Sequence, residues 1–429
     1  MDITYKIKNS IKQKGFFQDS AVMLLGNGLG NGLMLVAGII VARILGNDLY
    51  GQYGLVKTTM FYIASLSTFG LGFSITKYVS TCVSNASTKL KSYIYYSIQI
   101  TLAFSLFLAI LLILFSKQIA LFLNEPSLTR ALSFLAIIIV VRALNTCMIG
   151  ILAGLKDFKT VAINVTISGL TMLLLALPLT HFYSLYGALI ALLASQGVYL
   201  ILNIIHIKRV YIGLDQEIDK STRKELLLFS IPIAMQEMSF MVCNWGISLM
   251  IPKLCSFGEY GIYSAANQWN AIILYIPSVL TNVILSYLSS TVGNKNEHNR
   301  TLGLMTKVNF VSVLIPFIVV SALSMPITRL YGPTFNGLNV TLVVIVFSTV
   351  FVALSNVYSS ELISHEKVWP LFFMRFSRDL IIFLGSFLVI TLNIINSGAT
   401  SVAVCTVVAN ILFFFMLIIY YNNYLKLNE

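Results

Sequence analysis

Long apolar runs alternate with short polar breaks along this chain, and the runs recur twelve times. They fall near 20–45, 51–80, 93–116, 129–155, 160–181, 184–207, 226–252, 259–290, 306–327, 335–363, 370–393 and 397–423. A helix needs roughly 20 apolar residues to cross a bilayer. Each run therefore predicts a membrane span. Runs five and six are parted only by residues 181–184, which predicts a tight helical hairpin. No break is long enough to hold a separate water-soluble domain. The expected fold is all-α and polytopic, with twelve transmembrane helices.

Composition agrees with the pattern. The chain has 429 residues, of which 57% are hydrophobic and only 10% charged. Soluble domains carry about 25% charged residues. The formal charge of +12 need not mean nucleic acid, because excess Lys and Arg in a membrane protein mostly set orientation. Counted in alternate loops, the cations are strongly one-sided. Lys117, Arg130, Lys253 and Arg329 are all that one side receives, while the other takes every remaining loop cation. The rich side is expected to be cytoplasmic, which places both termini there. Ile3, Ile7 and Ile11, spaced by four with lysines between, read either as a short amphipathic helix on the anionic membrane surface or as a basic tail. The five cysteines show no metal or disulfide spacing and read as small apolar residues.

A weak internal repeat divides the chain. Gly51-Gln52-Tyr53-Gly54 follows the first span, and Gly258-Glu259-Tyr260-Gly261 follows the seventh. The turn at 154–158 after the fourth span is echoed at 364–369 after the tenth. Six spans per half is an even number, so the halves are related by an axis along the membrane normal, a parallel repeat. The expected organisation is a cytoplasmic segment 1–19, a six-helix bundle 20–207, a charged cytoplasmic linker 208–225, a second bundle 226–423 and a tail 424–429. Two such bundles predict a cleft between them near the midplane, and alternating access by rocking of one half against the other.

Ionisable residues inside spans are expensive and mark a pathway or a partner. Arg142 lies near the middle of span four, with Asn145 and Thr146 on the same helix face. It either lines a cavity or forms an interhelical salt bridge, and the surplus of cations over acids favours the cavity. In span eleven Arg375, Arg378 and Asp379 share a face, and an Arg375–Asp379 pair would leave Arg378 for an anionic ligand. Lys57 and Arg43 lie toward the periplasmic side and are further candidates, and Lys57 either lines the cavity or snorkels to the interface. Asn267 and Trp269 in span eight suit sugar hydroxyls, or act as polar glue between helices. Glu237 and Asp379 are candidate carboxylates for proton or ion coupling. The histidines sit at span ends or loops without ligand spacing, so no metal is expected. No Walker A loop, HExxH pair or nucleophile elbow is present, which argues against ATP as direct energy source and against an enzyme. No cofactor is implied.

Three stretches resemble one family. They are Ala42-Arg43-Ile44-Leu45-Gly46 running to Gly51-Gln52-Tyr53-Gly54, Thr68-Phe69-Gly70-Leu71-Gly72 running to Thr76-Lys77-Tyr78, and the 154–158 turn. They are similar to the corresponding parts of O-antigen (Wzx-type) flippases, within the multidrug/oligosaccharidyl-lipid/polysaccharide exporter superfamily. The resemblance implies translocation of undecaprenyl-pyrophosphate-linked oligosaccharide from the cytoplasmic to the periplasmic leaflet of the bacterial cytoplasmic (inner) membrane, by a V-shaped bundle with a cationic central cavity for the diphosphate. It implies membrane lipids as surroundings, and a polysaccharide polymerase and chain-length regulator as possible partners. A drug exporter of the same superfamily is the competing expectation, but it would want acids where this chain has arginines. A membrane-embedded glycan polymerase or ligase would want large periplasmic loops, and this chain has none.

Overall fold

In the computed structural model, residues 13–68, 70–84, 87–213, 217–291, 295–365 and 367–425 are described. The Ile3–Ile7–Ile11 stripe and the tail beyond 425 lie outside them. Among the described residues the chain is a succession of helices without strands. They are α1 (Gln13–Ser67), α2 (Leu71–Ser84), α3 (Leu90–Phe122), α4 (Leu128–Gly154), α5 (Phe158–Ile212), α6 (Ser221–Leu254) and α7 (Phe257–Ile273). There follow α8 (Tyr275–Thr291), α9 (Lys295–Ala322), the short α10 (Ser324–Tyr331), α11 (Leu338–Ser364), α12 (Val368–Thr391) and α13 (Gly398–Tyr420), which ends in a π turn.

Two of these helices are each two spans. In α1 the helix breaks at Gly46, with φ 73° and ψ 173°, and the second arm continues past a further break at Gly70 into α2. In α5 the break is Ser184, at φ 51° and ψ −132°. That is the tight hairpin predicted at 181–184. A serine there adopts backbone that L-residues avoid. Conversely, span eight is one predicted run made of two helices, α7 and α8. The stop falls at Leu274, three residues before Pro277, whose ring nitrogen cannot donate to the preceding turn. Span eleven is α12, made less apolar by Arg375, Arg378 and Asp379.

The predicted turn at 154–158 has a clear local cause. Lys156 takes φ 61°, and the Asp157 carboxylate caps α5 by accepting from Thr160 N at 3.1 Å and from its hydroxyl at 2.7 Å. Such a cap stabilises a helix start by about 0.5–2 kcal/mol.

The chain divides into two compact units, one of Met1–Ile44 with Leu55–Met241, the other of Leu45–Gly54 with Val242–Glu429. In the first, α3 packs on α4, α4 on α5, and α2 on α4. Leu71, Ile75, Ile94, Ile151 and Leu152 fill its core. Thr76 on α2 donates to the Gly150 carbonyl on α4 at 3.0 Å, the close approach that small residues allow in membrane bundles. In the second, α11 is surrounded by α7, α8, α9 and α13, around Ile284, Leu288, Val357, Leu362 and Leu417. Large apolar side chains also cover outer faces: Leu106, Phe107, Ile110 and Leu114 on α3 are all exposed. A soluble protein would bury such a stripe; a bilayer solvates it.

The segment before α6 docks on the start of α3 within the first unit. Lys89 and the Asp219 carboxylate lie 3.3 Å apart. Asp219 N donates to Ser92 Oγ at 2.8 Å, and the Tyr93 hydroxyl donates to Glu225 at 2.8 Å. The Ser221 hydroxyl and N–H, and then Lys89, hold the Asp219 carboxyl below the usual range.

Candidate functional site

The first unit holds a polar array inside apolar helices. Arg142, half-buried on α4, donates from Nη1 to Gln196 Oε1 at 3.4 Å. Asn145, one turn on and fully buried, donates to the Gln196 carbonyl at 2.9 Å and to Oε1 at 3.3 Å. The chain continues through Asn203, which donates to Asn145 Oδ1 at 3.3 Å, and Asn164, which donates to Asn203 Oδ1 at 2.8 Å. Spans four, five and six are thereby tied together by neutral amides. Asn145 is thus a member of the scaffold that holds Gln196, and Gln196 in turn steadies the guanidinium.

Lys57, on the second arm of α1, stands close enough to Arg142 to feel its charge. It too is half-buried. Among the described residues neither cation has a carboxylate in an ion pair. Two like charges held near each other in a weakly solvated setting are costly. Arg43, by contrast, is exposed on the first arm of α1.

The second unit treats its cation differently. Arg378 donates to Asp379 Oδ1 from Nε at 3.0 Å and from Nη2 at 2.8 Å, with the carboxylate almost wholly buried. Its guanidinium also lies 5.0 Å from the Phe413 ring centroid, a cation–π distance. The expectation that Arg375 takes Asp379 and leaves Arg378 over is corrected: the neighbouring Arg378 closes the fork, while Arg375 also acts electrostatically on the carboxylate. The side chain of Glu237 is outside those described.

Span eight splits by face. Trp269 Nε1 donates to the Tyr331 hydroxyl at 3.1 Å, and Gln268 Nε2 to the Tyr50 hydroxyl at 2.7 Å. Asn267 is exposed and accepts from Asn270 at 3.4 Å. Tyr50, Tyr331 and Phe335 form an aromatic cluster, with ring centroids 5.8 Å apart for Tyr50–Phe335 and 5.4 Å for Tyr331–Phe335. Trp269 therefore packs against this cluster.

The two repeated tetrapeptides meet inside the second unit. Gly51 lies against the Phe257 carbonyl and the Gly261 N–H, and Gly261 against the Asn47 carbonyl and the Gly51 N–H. Glu259 reaches the start of α13, where its carboxylate accepts from Ser397 Oγ at 2.7 Å and Ala399 N at 2.9 Å. A carboxylate at a helix N-terminus is favourable on charge and hydrogen bonding together. Sequence comparison of the halves located these segments but gave no sign that they touch.

One cluster escaped the sequence reading. His298 from the first turn of α9, Glu361 from the last turn of α11 and His365 just after it come together. The separation of 361 and 365 is one helical turn, a legible signal; the approach of α9 is not.

Twelve spans in this order form the fold of multidrug and lipid-flipping transporters. An inward-facing multidrug resistance MATE family transporter of the MOP superfamily superposes with a TM-score of 0.80 at 13% identity, covering 94% of this chain and 97% of that one. The lipid II flippase MurJ, in an inward closed conformation, gives 0.72 at 17% identity, covering 94% and 88%. A MOP superfamily transporter from Pyrococcus furiosus, described as having a binding pocket of reverse polarity, gives 0.62 at 13%, covering 94% and 95%. No curated protein sequence matches the chain. Residues 16–292 match the family model of polysaccharide biosynthesis proteins, and the chain belongs to that family.

Proposed function

We propose that the protein is a flippase for undecaprenyl-pyrophosphate-linked oligosaccharide of the O-antigen repeat-unit type, moving it from the cytoplasmic to the periplasmic leaflet of the bacterial inner membrane by alternating access. Family membership supports a role in polysaccharide biosynthesis. The observation that supports an anionic substrate is the pair Lys57 and Arg142, two neighbouring cations of which neither forms an ion pair with a carboxylate among the described residues. A drug exporter for organic cations would need the opposite sign. Arg142 suits a diphosphate because guanidinium donors match two phosphate oxygens at once. Lys57 adds charge without fixed geometry. Asn267 and Asn270, on the face of α7 turned from Trp269, offer amides for sugar hydroxyls.

The test is reconstitution. Proteoliposomes loaded with a fluorescent lipid-diphosphate oligosaccharide are probed with an impermeant reagent. The expected result is protein-dependent exchange of the lipid between leaflets, with no uptake of lipophilic organic cations. Cation uptake without lipid exchange overturns the reading.

Orientation has its own test. The loop charge bias supports a cytoplasmic position for Asp215 and for the C-terminus. Fusions of a fluorescent reporter at either point are expected to fluoresce, and phosphatase fusions to be inactive. Phosphatase activity at either point reverses the topology.

A further inference from the structure

We infer that His298, Glu361 and His365 form a binding site for a first-row divalent metal ion, with zinc the best match to the ligand set. Glu361 and His365 lie four apart at the end of α11, so both face the same way. His298 comes from α9. Glu361 Oε1 lies 2.8 Å from His298 Nε2 and 3.3 Å from His365 Nε2. The three ligand atoms all lie within 4.8 Å of one another, and the imidazoles stand edge to face with centroids 5.6 Å apart.

The carboxylate is the second line of argument. Glu361 is fully buried, and its Oε2 has no hydrogen-bond partner. Leu302, Leu362, Leu371 and Leu417 make the surrounding core of these helices apolar. An ionised carboxylate in such a place needs counter-charge and contacts to both oxygens. Both imidazoles present the same atom, Nε2, toward it. Neutral imidazole lone pairs and one carboxylate converging on a point are the donors zinc takes at about 2.0–2.2 Å. Three protein ligands leave a fourth position for water. His365 is the partly exposed member, with 14% of its side chain accessible, and supplies the entry side. The inference uses no residue of the Lys57–Arg142 array, so it stands or falls apart from the flippase reading.

The experiment uses the full chain, purified through an affinity tag without histidine, stripped with chelator and re-equilibrated with zinc. Bound metal is counted by mass spectrometry, and cobalt(II) replaces zinc to report coordination by its visible absorption. The expected result is about one zinc per chain, lost in Glu361→Gln and His298→Ala and at least roughly tenfold weaker in His365→Ala. The last variant sits at a helix end and keeps the question testable if the buried ones do not fold. Absence of stoichiometric zinc in the wild type overturns the site. So does undiminished binding in His365→Ala, which would move the metal elsewhere.

Discussion

Alanine at Gly51 or Gly261 is expected to cost folded protein, whereas alanine at Gly303 is expected to improve it. The added atom is the same in all three, so bulk is not the variable. At Gly303 a Cβ meets nothing within 4 Å. Alanine is also the better helix former, by about 0.8–1.0 kcal/mol. At Gly51 the Cβ would enter the Phe257 carbonyl, and at Gly261 the Asn47 carbonyl. Both obstacles are backbone of a neighbouring segment, which no rotamer change can move aside. The helices must separate, and the loss is expected at about 1–3 kcal/mol or more. Tyr50, Tyr53 and Tyr260 are buried beside the crossing and would lose contact with it. Thermal midpoints and monodisperse yield in detergent are the measurements. A stabilised Gly51→Ala would show that the crossing does not hold the second unit together.

That crossing marks where sequence reading stopped. The tetrapeptides at 51 and 258 were visible as a repeat because Gly and Tyr recur at one place in each half. Their meeting was not visible, because it depends on residues Leu45–Gly54 joining the second unit while their flanks on both sides join the first. The spans themselves were legible because hydropathy is local. The hairpin at Ser184 was legible for the same reason, since no polar loop separates the two runs. The break at Leu274 was missed although Pro277 was in plain sight, because a proline inside an apolar run is compatible with either a kink or a stop.

Site residues were legible by type and not by partner. Arg142 and Lys57 drew attention as cations in hydrocarbon, and the structure brings them together. Arg378 drew the same attention, but its neighbour in sequence neutralises it. Helix geometry favours i,i+4 contacts, so the adjacent Arg378–Asp379 fork was passed over. It forms because a long guanidinium can fold back on a neighbouring carboxylate when Phe413 supports its other face. His298 and Glu361 were invisible as a pair, because 63 residues separate them and no periodicity spans that interval.

The two arginines should therefore fail in different ways, and this separates binding from architecture. Arg142→Ala is expected to fold, since Asn145, Asn164, Asn203 and Gln196 keep their own bonds without it. Its loss should appear in lipid exchange. A charge-assisted hydrogen bond contributes about 1.5–3 kcal/mol, so the rate at subsaturating substrate should fall roughly ten- to hundredfold. Arg142→Lys should recover only part, because an ammonium cannot form the two-point contact. Lys57→Ala should fall less than Arg142→Ala, and the double variant should show coupling if both cations meet one diphosphate. Arg378→Ala should instead lower stability, because it removes both guanidinium hydrogen bonds to the buried Asp379 carboxylate. Removing one partner of a buried pair costs about 3–5 kcal/mol. Arg378→Ala with Asp379→Ala should regain most of that stability, since the buried carboxylate that lost its donors is then gone as well. Thermal midpoints of these six variants and the wild type, alongside exchange rates, decide the matter. Full exchange by Arg142→Ala would remove the cationic array from the substrate path. An unstable Arg142→Ala rescued by no ligand would make it architecture, the role expected of Arg378.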